Sequence, residues 1–301
     1  MKARLSIAPI FPMAGPLPVA SFQERVAASA ERSLMLEIET WPKPGLVSHV
    51  DSGSHTDMDA DTFRRSASAL RPYFAALVDA GMRDASMATL RKIGLHAERA
   101  MLAATGGVNT HRGAIFGVGL LCAAAGLREA GLVDARETLG AVVERRWGRE
   151  ILAGPRLSHS HGEVAGLRYG AGGARQEGAQ GFPSVYQVGL PALRDAQCLA
   201  PGDHEAARVQ ACFSLIAALE DTNLLHRGGA EGLRFAQQAA QAFLDKGGVG
   251  DPAWSERAER IHRAFVRRRL SPGGSADLLA MSVFVMALEK LPSHSLAAGM
   301  A

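Results

Sequence analysis

Arg112-Gly-Ala-Ile-Phe-Gly-Val-Gly-Leu-Leu-Cys-Ala-Ala-Ala-Gly126 decides the fold class, because after its first residue it carries no charge and is apolar on every side. Ile115, Phe116, Val118, Leu120 and Leu121 surround the circumference of a helix with no face left for water. Such a helix belongs at the centre of a helical domain. Towards the N-terminus, Ser21-Phe-Gln-Glu24 is a capping-box pattern, followed by Val26, Ala30, Leu34, Ile38 and Trp41 at helical spacing up to Pro42. A second helix is predicted from Asp59, tolerating or kinking at Pro72 and stopping at Gly81, and a third from Asp84 towards Thr105. Beyond the central stretch, amphipathic helices are predicted near 134–152, 204–220, 229–245, 254–270 and 275–290.

No strand series, repeat or low-complexity linker interrupts this pattern. The reading is one all-α domain over residues 20–301, preceded by a flexible Pro-rich arm at 1–19. That arm mimics a signal peptide, but Pro9, Pro12, Pro16 and Pro18 would interrupt its apolar stretch. The Gly-rich segment Gly170 to Gly181 reads as a polar loop or lid.

Composition bounds the function. With 47% hydrophobic and 21% charged residues the 301-residue chain is globular, and a net charge of +3 gives no basic stripe for nucleic acid. Arg263 and Arg267 to Arg269 read as a solvated helix face. Cys122, Cys198 and Cys212 form no C-x-x-C pair, which fits a reducing, cytoplasmic compartment, and no apolar run is long enough to span a membrane.

Polar residues gather in six Gly-containing segments at helix ends. These are Pro42-Lys-Pro-Gly-Leu-Val47, Gly53-Ser-His-Thr-Asp-Met58, Gly106-Gly-Val-Asn-Thr-His-Arg-Gly113, Gly173-Ala-Arg-Gln-Glu177, Asp221-Thr-Asn223 with Arg227-Gly-Gly229, and Ser271-Pro-Gly-Gly-Ser-Ala-Asp277. Glycines before a helix let backbone N–H groups approach an anion, so Gly273, Gly274 and Ser275 suit a phosphate, while capping by Ser271 or Ser275 explains the same pattern equally well. Lys43, Arg112, Arg175 and Arg227 are cations that could converge on phosphates. Asp57, Glu177, Asp221 and Asp277 offer hard oxygen ligands for magnesium, or serve as caps. His55, His111 and His226 lack the spacing of a zinc site, as does the isolated His159-Ser-His161 pair, so His55 and His111 suit hydrogen bonding or proton transfer. There is no Walker loop and no G-x-G-x-x-G after a strand.

Taken in order, the six segments resemble the triphosphoribosyl-dephospho-coenzyme A synthase family, whose pattern contains P-K-P-G-L-V, G-x-H-x-D-M, G-V-N-T-H-K-G, G-A-R-G-E-A-x-x-G-F-P, D-T-N-x-x-x-R-G-G and S-P-G-G-S-A-D-L-L-A. The resemblance spans residues 37 to 281. Ala69-Leu-Arg-Pro-Tyr-Phe74 is more similar to the malonate decarboxylase branch than to the citrate lyase branch. The resemblance implies transfer of the triphosphoribosyl group of ATP to 3'-dephospho-coenzyme A, with adenine released, to make the prosthetic-group precursor of an acyl carrier protein. It also implies Asp57, Glu177 and Asp221 as metal ligands or general base, with Asp277 a further ligand. The four cations and the Gly273 to Ser275 turn would then hold phosphates, and Asn109 and His111 would orient base or ribose.

Departures from the pattern are Ser48 for Asp, Arg112 for Lys, and Gln176 and Gly178 for Gly and Ala. Asp51 is placed to replace the acid missing at Ser48. Two rival readings are a magnesium-dependent hydrolase of ADP-ribose-like bonds and a helical scaffold whose polar turns are merely caps.

Overall fold

A computed structural model describes residues 20–155, 165 and 168–289. The 1–19 arm, His159, His161 and the residues after Glu289 lie outside that range. Among the described residues there are eleven α-helices: α1 (Phe22–Ile38), α2 (Ala60–Met82), α3 (Met87–Ala104), α4 (Arg112–Glu129), α5 (Leu139–Ala153), α6 (Gly173–Ala179), α7 (Leu190–Leu199), α8 (His204–Ala218), α9 (Thr222–Asp245), α10 (Trp254–Arg267) and α11 (Gly273–Leu288). The fold is all-α. No described helix is long and apolar enough to cross a membrane.

Helix α4 is the axle the sequence predicts. Every residue from Ala114 to Leu127 except Phe116 is buried. It can be enclosed because its glycines, and those facing it, remove side chains where backbones meet. A Cβ on Gly81 of α2 would stand 1.9 Å from the Ala123 carbonyl oxygen, and one on Gly126 would stand 2.1 Å from that of Val78. Thus α2 and α4 touch backbone to backbone. On the opposite side Gly117 receives the end of Met281 from α11, at 2.1 Å from where a Cβ would be.

Several expectations are corrected. Helix α11 is not amphipathic: Leu278 to Val285 are all buried, making it a second enclosed helix. Helix α2 runs through Pro72 and ends past Gly81, a packing glycine rather than a stop. Helix α5 starts at Leu139, where Thr138 accepts a hydrogen bond from Ala141 N, five residues after the predicted Asp134. The Gly170 to Gly181 segment contains helix α6, and the residues that follow form a π-helical turn (Val185–Gly189) leading into α7, which the sequence pattern did not reveal. Helix α9 begins at Thr222, with Gly229 at φ 61° as an internal break, so the predicted start at Gly229 is that break.

The close approach of α2 and α4 gives a direct test. Gly81→Ala and Gly126→Ala should each cost about 1–3 kcal/mol, as overpacking does. Gly94→Ala, in α3 with nothing within 4 Å of the added atom, should instead stabilise by about 0.4–1 kcal/mol. Urea unfolding of the three variants measures all of these.

Candidate functional site

Three helix N-termini, those of α4, α9 and α11, meet around a group of buried charges. Lys43, in the turn after α1, is fully buried and forms an ion pair with Glu37 of α1, itself buried. Asp221 caps two helices at once. Its Oδ1 accepts from Asn223 N at 2.8 Å and Leu224 N at 3.4 Å, and its Oδ2 accepts from Ser275 N at 2.8 Å and Ser275 Oγ at 3.1 Å. Ser271 and Ser275 therefore do not cap α11; Asp221 does so from another helix, and Pro272 is the cap residue. The N–H groups of Gly273 and Gly274 donate no hydrogen bond among the described residues.

Asp277, one turn into α11, accepts from the Ala114 N–H at the start of α4. Its carboxylate lies so close that a Cβ on Gly113 would meet Oδ2 at 2.0 Å, which explains the glycine after Arg112. Protein crowds this carboxyl from nearly every side, although the residue as a whole is only half-buried. Burial, then the charges of Glu37 and Asp221, hold its carboxyl well above the usual range. Burial also raises Glu37 and Asp221, the first against the opposing pull of Lys43 and the second against its four hydrogen bonds. The neighbouring Cys212 thiol is pushed up to about 12, chiefly by burial.

His111, just before α4, completes the group. Thr110 Oγ1 donates to Ser66 Oγ at 2.8 Å, and Ser66 Oγ lies 2.7 Å from His111 Nδ1. Burial, with Lys43 nearby, lowers its pKa to about 3, so the ring is neutral. With Ser66 donating onward the ring hydrogen sits on Nε2, which is buried and has no partner among the described residues.

A second group adjoins the first through Ser271. His55 Nε2 is 2.9 Å from Ser271 Oγ, and Nδ1 is 3.3 Å from an Arg227 nitrogen and 3.7 Å from Asp57 Oδ1. Arg227 also donates to the carbonyls of Ser54 and Arg269, and Ser54 Oγ donates to the Leu270 carbonyl at 2.6 Å. Burial and then Arg227 lower the His55 pKa. Asp57 is exposed.

The other sequence-predicted residues are placed differently. Arg112 points to Glu98, with Nε 2.6 Å from its carboxylate, and Asn109 Oδ1 accepts from the Arg112 N–H, a local cap on α4. Arg175 donates to the Ile151, Leu152 and Gly154 carbonyls at the end of α5. Glu177 accepts from Ser184 N and Oγ, and burial raises its carboxyl against those bonds. Helix α6 lies on the first turns of α4 through Gly178 against Phe116, and its Gly173 faces Thr222. Among the described residues no three His, Cys, Asp or Glu side chains are grouped to hold a metal, so Asp57, Glu177, Asp221 and Asp277 form no common metal centre.

The chain belongs to the ATP:dephospho-CoA triphosphoribosyl transferase family. The family profile of that description matches residues 23–295. The chain is 40% identical over 281 residues to a protein of Pseudomonas fluorescens strain Pf-5, covering 90% of this chain and 94% of that one. It is 41% identical to one of Azotobacter vinelandii, covering 91% and 95%. Both are named probable 2-(5''-triphosphoribosyl)-3'-dephosphocoenzyme-A synthases. A Klebsiella pneumoniae protein named 2-(5''-triphosphoribosyl)-3'-dephosphocoenzyme-A synthase is 40% identical, covering 88% and 91%. No solved structure matches the chain. As a member of this family the chain is a transferase that acts in coenzyme A derivative synthesis.

Two residues of the site escaped sequence reading. Glu37 sits inside a helix that reads as amphipathic, and only its pairing with Lys43 six residues on betrays a role. His262 has no motif around it, yet lies 2.7 Å from the Lys43 carbonyl. The departure at Ser48 is also explained. Its Oγ accepts from the Val50 and Asp51 N–H groups at 3.1 and 3.3 Å, the turn-closing bonds an Asp would also make.

A carboxyl held high in the fold adds stability below its unfolded pKa and loses it as pH rises through the folded value. The wild-type chain should therefore lose more stability than Asp277→Asn as pH climbs from the ordinary carboxylate range towards 8. Urea midpoints between pH 5 and 8 measure this, and parallel profiles would contradict a raised Asp277.

Proposed function

We propose that the chain makes 2'-(5''-triphosphoribosyl)-3'-dephospho-CoA from ATP and 3'-dephospho-CoA, with adenine as the leaving group. The observation that supports this reading is Asp277, a carboxyl raised by burial where three helix N-termini meet, in a chain of this family.

In this reaction the bond from ribose C1 to adenine breaks and a bond from C1 to the acceptor 2'-oxygen forms, through an oxocarbenium-like state. Asp277 delivers its proton to the departing adenine. Glu37, paired with Lys43, discourages Asp277 from losing that proton early, because neighbouring carboxyls do not both ionise easily. Glu177, half-buried on α6, takes the proton of the acceptor hydroxyl. The unpartnered Nε2–H of His111 orients base or ribose.

The open N–H groups of Gly273 and Gly274, with Arg227 and His55 beside Ser271, take the phosphates. Arg112 and Arg175 support the walls through Glu98 and α5 rather than meeting the triphosphate. Magnesium enters on the nucleotide. A hydrated ion bound to phosphates needs only one or two protein carboxylates, and the exposed Asp57, beside His55 and Arg227, has oxygen to spare whereas Asp221 is filled by four donors. When bound, it would screen the triphosphate charge. The three free cysteines suit a reducing cytoplasm. The product is destined for an acyl carrier protein, and the Ala69 to Phe74 similarity favours that of malonate decarboxylase.

Assay of adenine by chromatography, with ATP and magnesium present, should show release that requires dephospho-CoA. Asp277→Asn should lower kcat by about 10²–10⁴, the usual contribution of a general acid, with its helical circular dichroism retained. Equal adenine release without acceptor would indicate a hydrolase, and wild-type turnover of Asp277→Asn would remove that residue from the chemistry.

A further inference from the structure

We propose that His262, on α10, is a positioning residue for Lys43 and so for the transfer step. The inference rests on the functional reading above and adds a residue that none of the six motifs contains.

His262 is 2% exposed. Its ring spans the turn that follows α1. Nε2 is 3.1 Å from Asp51 Oδ2, and Nδ1 is 2.7 Å from the Lys43 carbonyl and 3.3 Å from the Gly45 N. A carboxylate only accepts, so Nε2 carries a hydrogen for that contact. Nδ1 then either donates to the Lys43 carbonyl or accepts from the Gly45 N–H. In both states the ring ties Asp51 to the Pro42-Lys-Pro-Gly45 turn across more than two hundred residues of chain.

The turn is also closed by the Leu46 N–H on the Lys43 carbonyl at 3.3 Å and the Ser54 N–H on the Gly45 carbonyl at 3.0 Å, so His262 is the side chain from a distant helix that joins this hydrogen-bonded turn. Gly45 has φ 68°, a conformation glycine adopts without strain, and a Cβ there would meet the Leu270 carbonyl oxygen at 2.1 Å. Trp41 packs edge-on against the His262 ring with centroids 4.6 Å apart, fixing the ring plane. Asp51 also accepts from Gly53 N at 2.9 Å, so one carboxylate links His262 to the start of the segment that carries His55 and Asp57. The ring therefore sets the backbone from which Lys43 reaches Glu37, and through Asp51 it reaches the segment bearing the second group of site residues. It touches no reacting atom in this scheme, so its effect is on placement.

The two ring nitrogens can be tested separately. Asparagine places an amide nitrogen near Nδ1, glutamine places one near Nε2, and phenylalanine keeps the ring while offering neither. The experiment measures kcat and KM for ATP from adenine release, with dephospho-CoA saturating, for His262→Asn, His262→Gln and His262→Phe in the full chain. Thermal unfolding of each is followed in parallel. The expected result is that kcat falls at least tenfold in His262→Phe and is recovered at least threefold in His262→Asn relative to it, at matched unfolding temperatures. Wild-type kcat in His262→Phe would overturn the proposal. So would losses that follow the unfolding temperature alone, with no recovery by asparagine. If the wild-type chain releases no adenine, the functional reading fails instead. In that case the placement of Lys43 is read from its ¹⁵N-labelled ammonium signal, which should change in His262→Phe and stay near wild type in His262→Asn; no change in either overturns the proposal.

Discussion

The buried ion pair between Glu37 and Lys43 is the constraint around which the site is arranged. An ammonium group with no exposure is tolerable only beside an opposite charge, and removing either partner would leave the other uncompensated. The pair fastens the last turn of α1 to the turn that follows it. It also sets the electrostatics of the centre, because Lys43 helps hold His111 neutral and Glu37 helps hold the Asp277 carboxyl above its usual range. A negative cluster this deep would be prohibitive in an apolar core. Here the N-termini of α4, α9 and α11 supply aligned N–H groups and positive dipole ends that offset it.

This arrangement reverses a natural first reading of the glycine-rich helix starts. The Ser271 to Asp277 segment suggests a phosphate cradle, yet one of its first N–H groups is already taken by the Asp221 carboxylate. The helix ends direct part of their positive character to protein carboxyls, while the Gly273 and Gly274 N–H groups donate no hydrogen bond among the described residues. The same economy governs the arginines. Arg112 and Arg175 carry the charge a phosphate would want, but Glu98 and the α5 carbonyls hold them.

How much of this was written in the sequence differs between levels. The all-round apolar stretch from Arg112 to Gly126 announced an enclosed helix, and that helix is the centre of the fold, because periodicity reports burial directly. Helix α7 and the π-helical turn before it were invisible: Val185 to Leu199 mixes Pro191, Gly189 and polar residues, and packing rather than local preference makes it helical. The six polar segments were legible as a set, and Lys43, His111, Asp221 and Asp277 do converge. Their roles were not legible, since a sequence cannot show that Asp221 is saturated by four donors or that the Asp277 carboxyl is buried beside Glu37 and Asp221. His262 and Glu37 were missed for the same reason, as each acts through a partner fixed only by the tertiary fold.

The proposed reaction requires that one site, built from the turn after α1 and the starts of α4, α9 and α11, receives the nucleotide. Hydrogen–deuterium exchange with and without ATP and magnesium tests it most directly. Protection should appear in residues 41–55, 109–114, 221–229 and 271–277 together. Protection confined to other segments, or absent from those around Asp221 and Asp277, would contradict it.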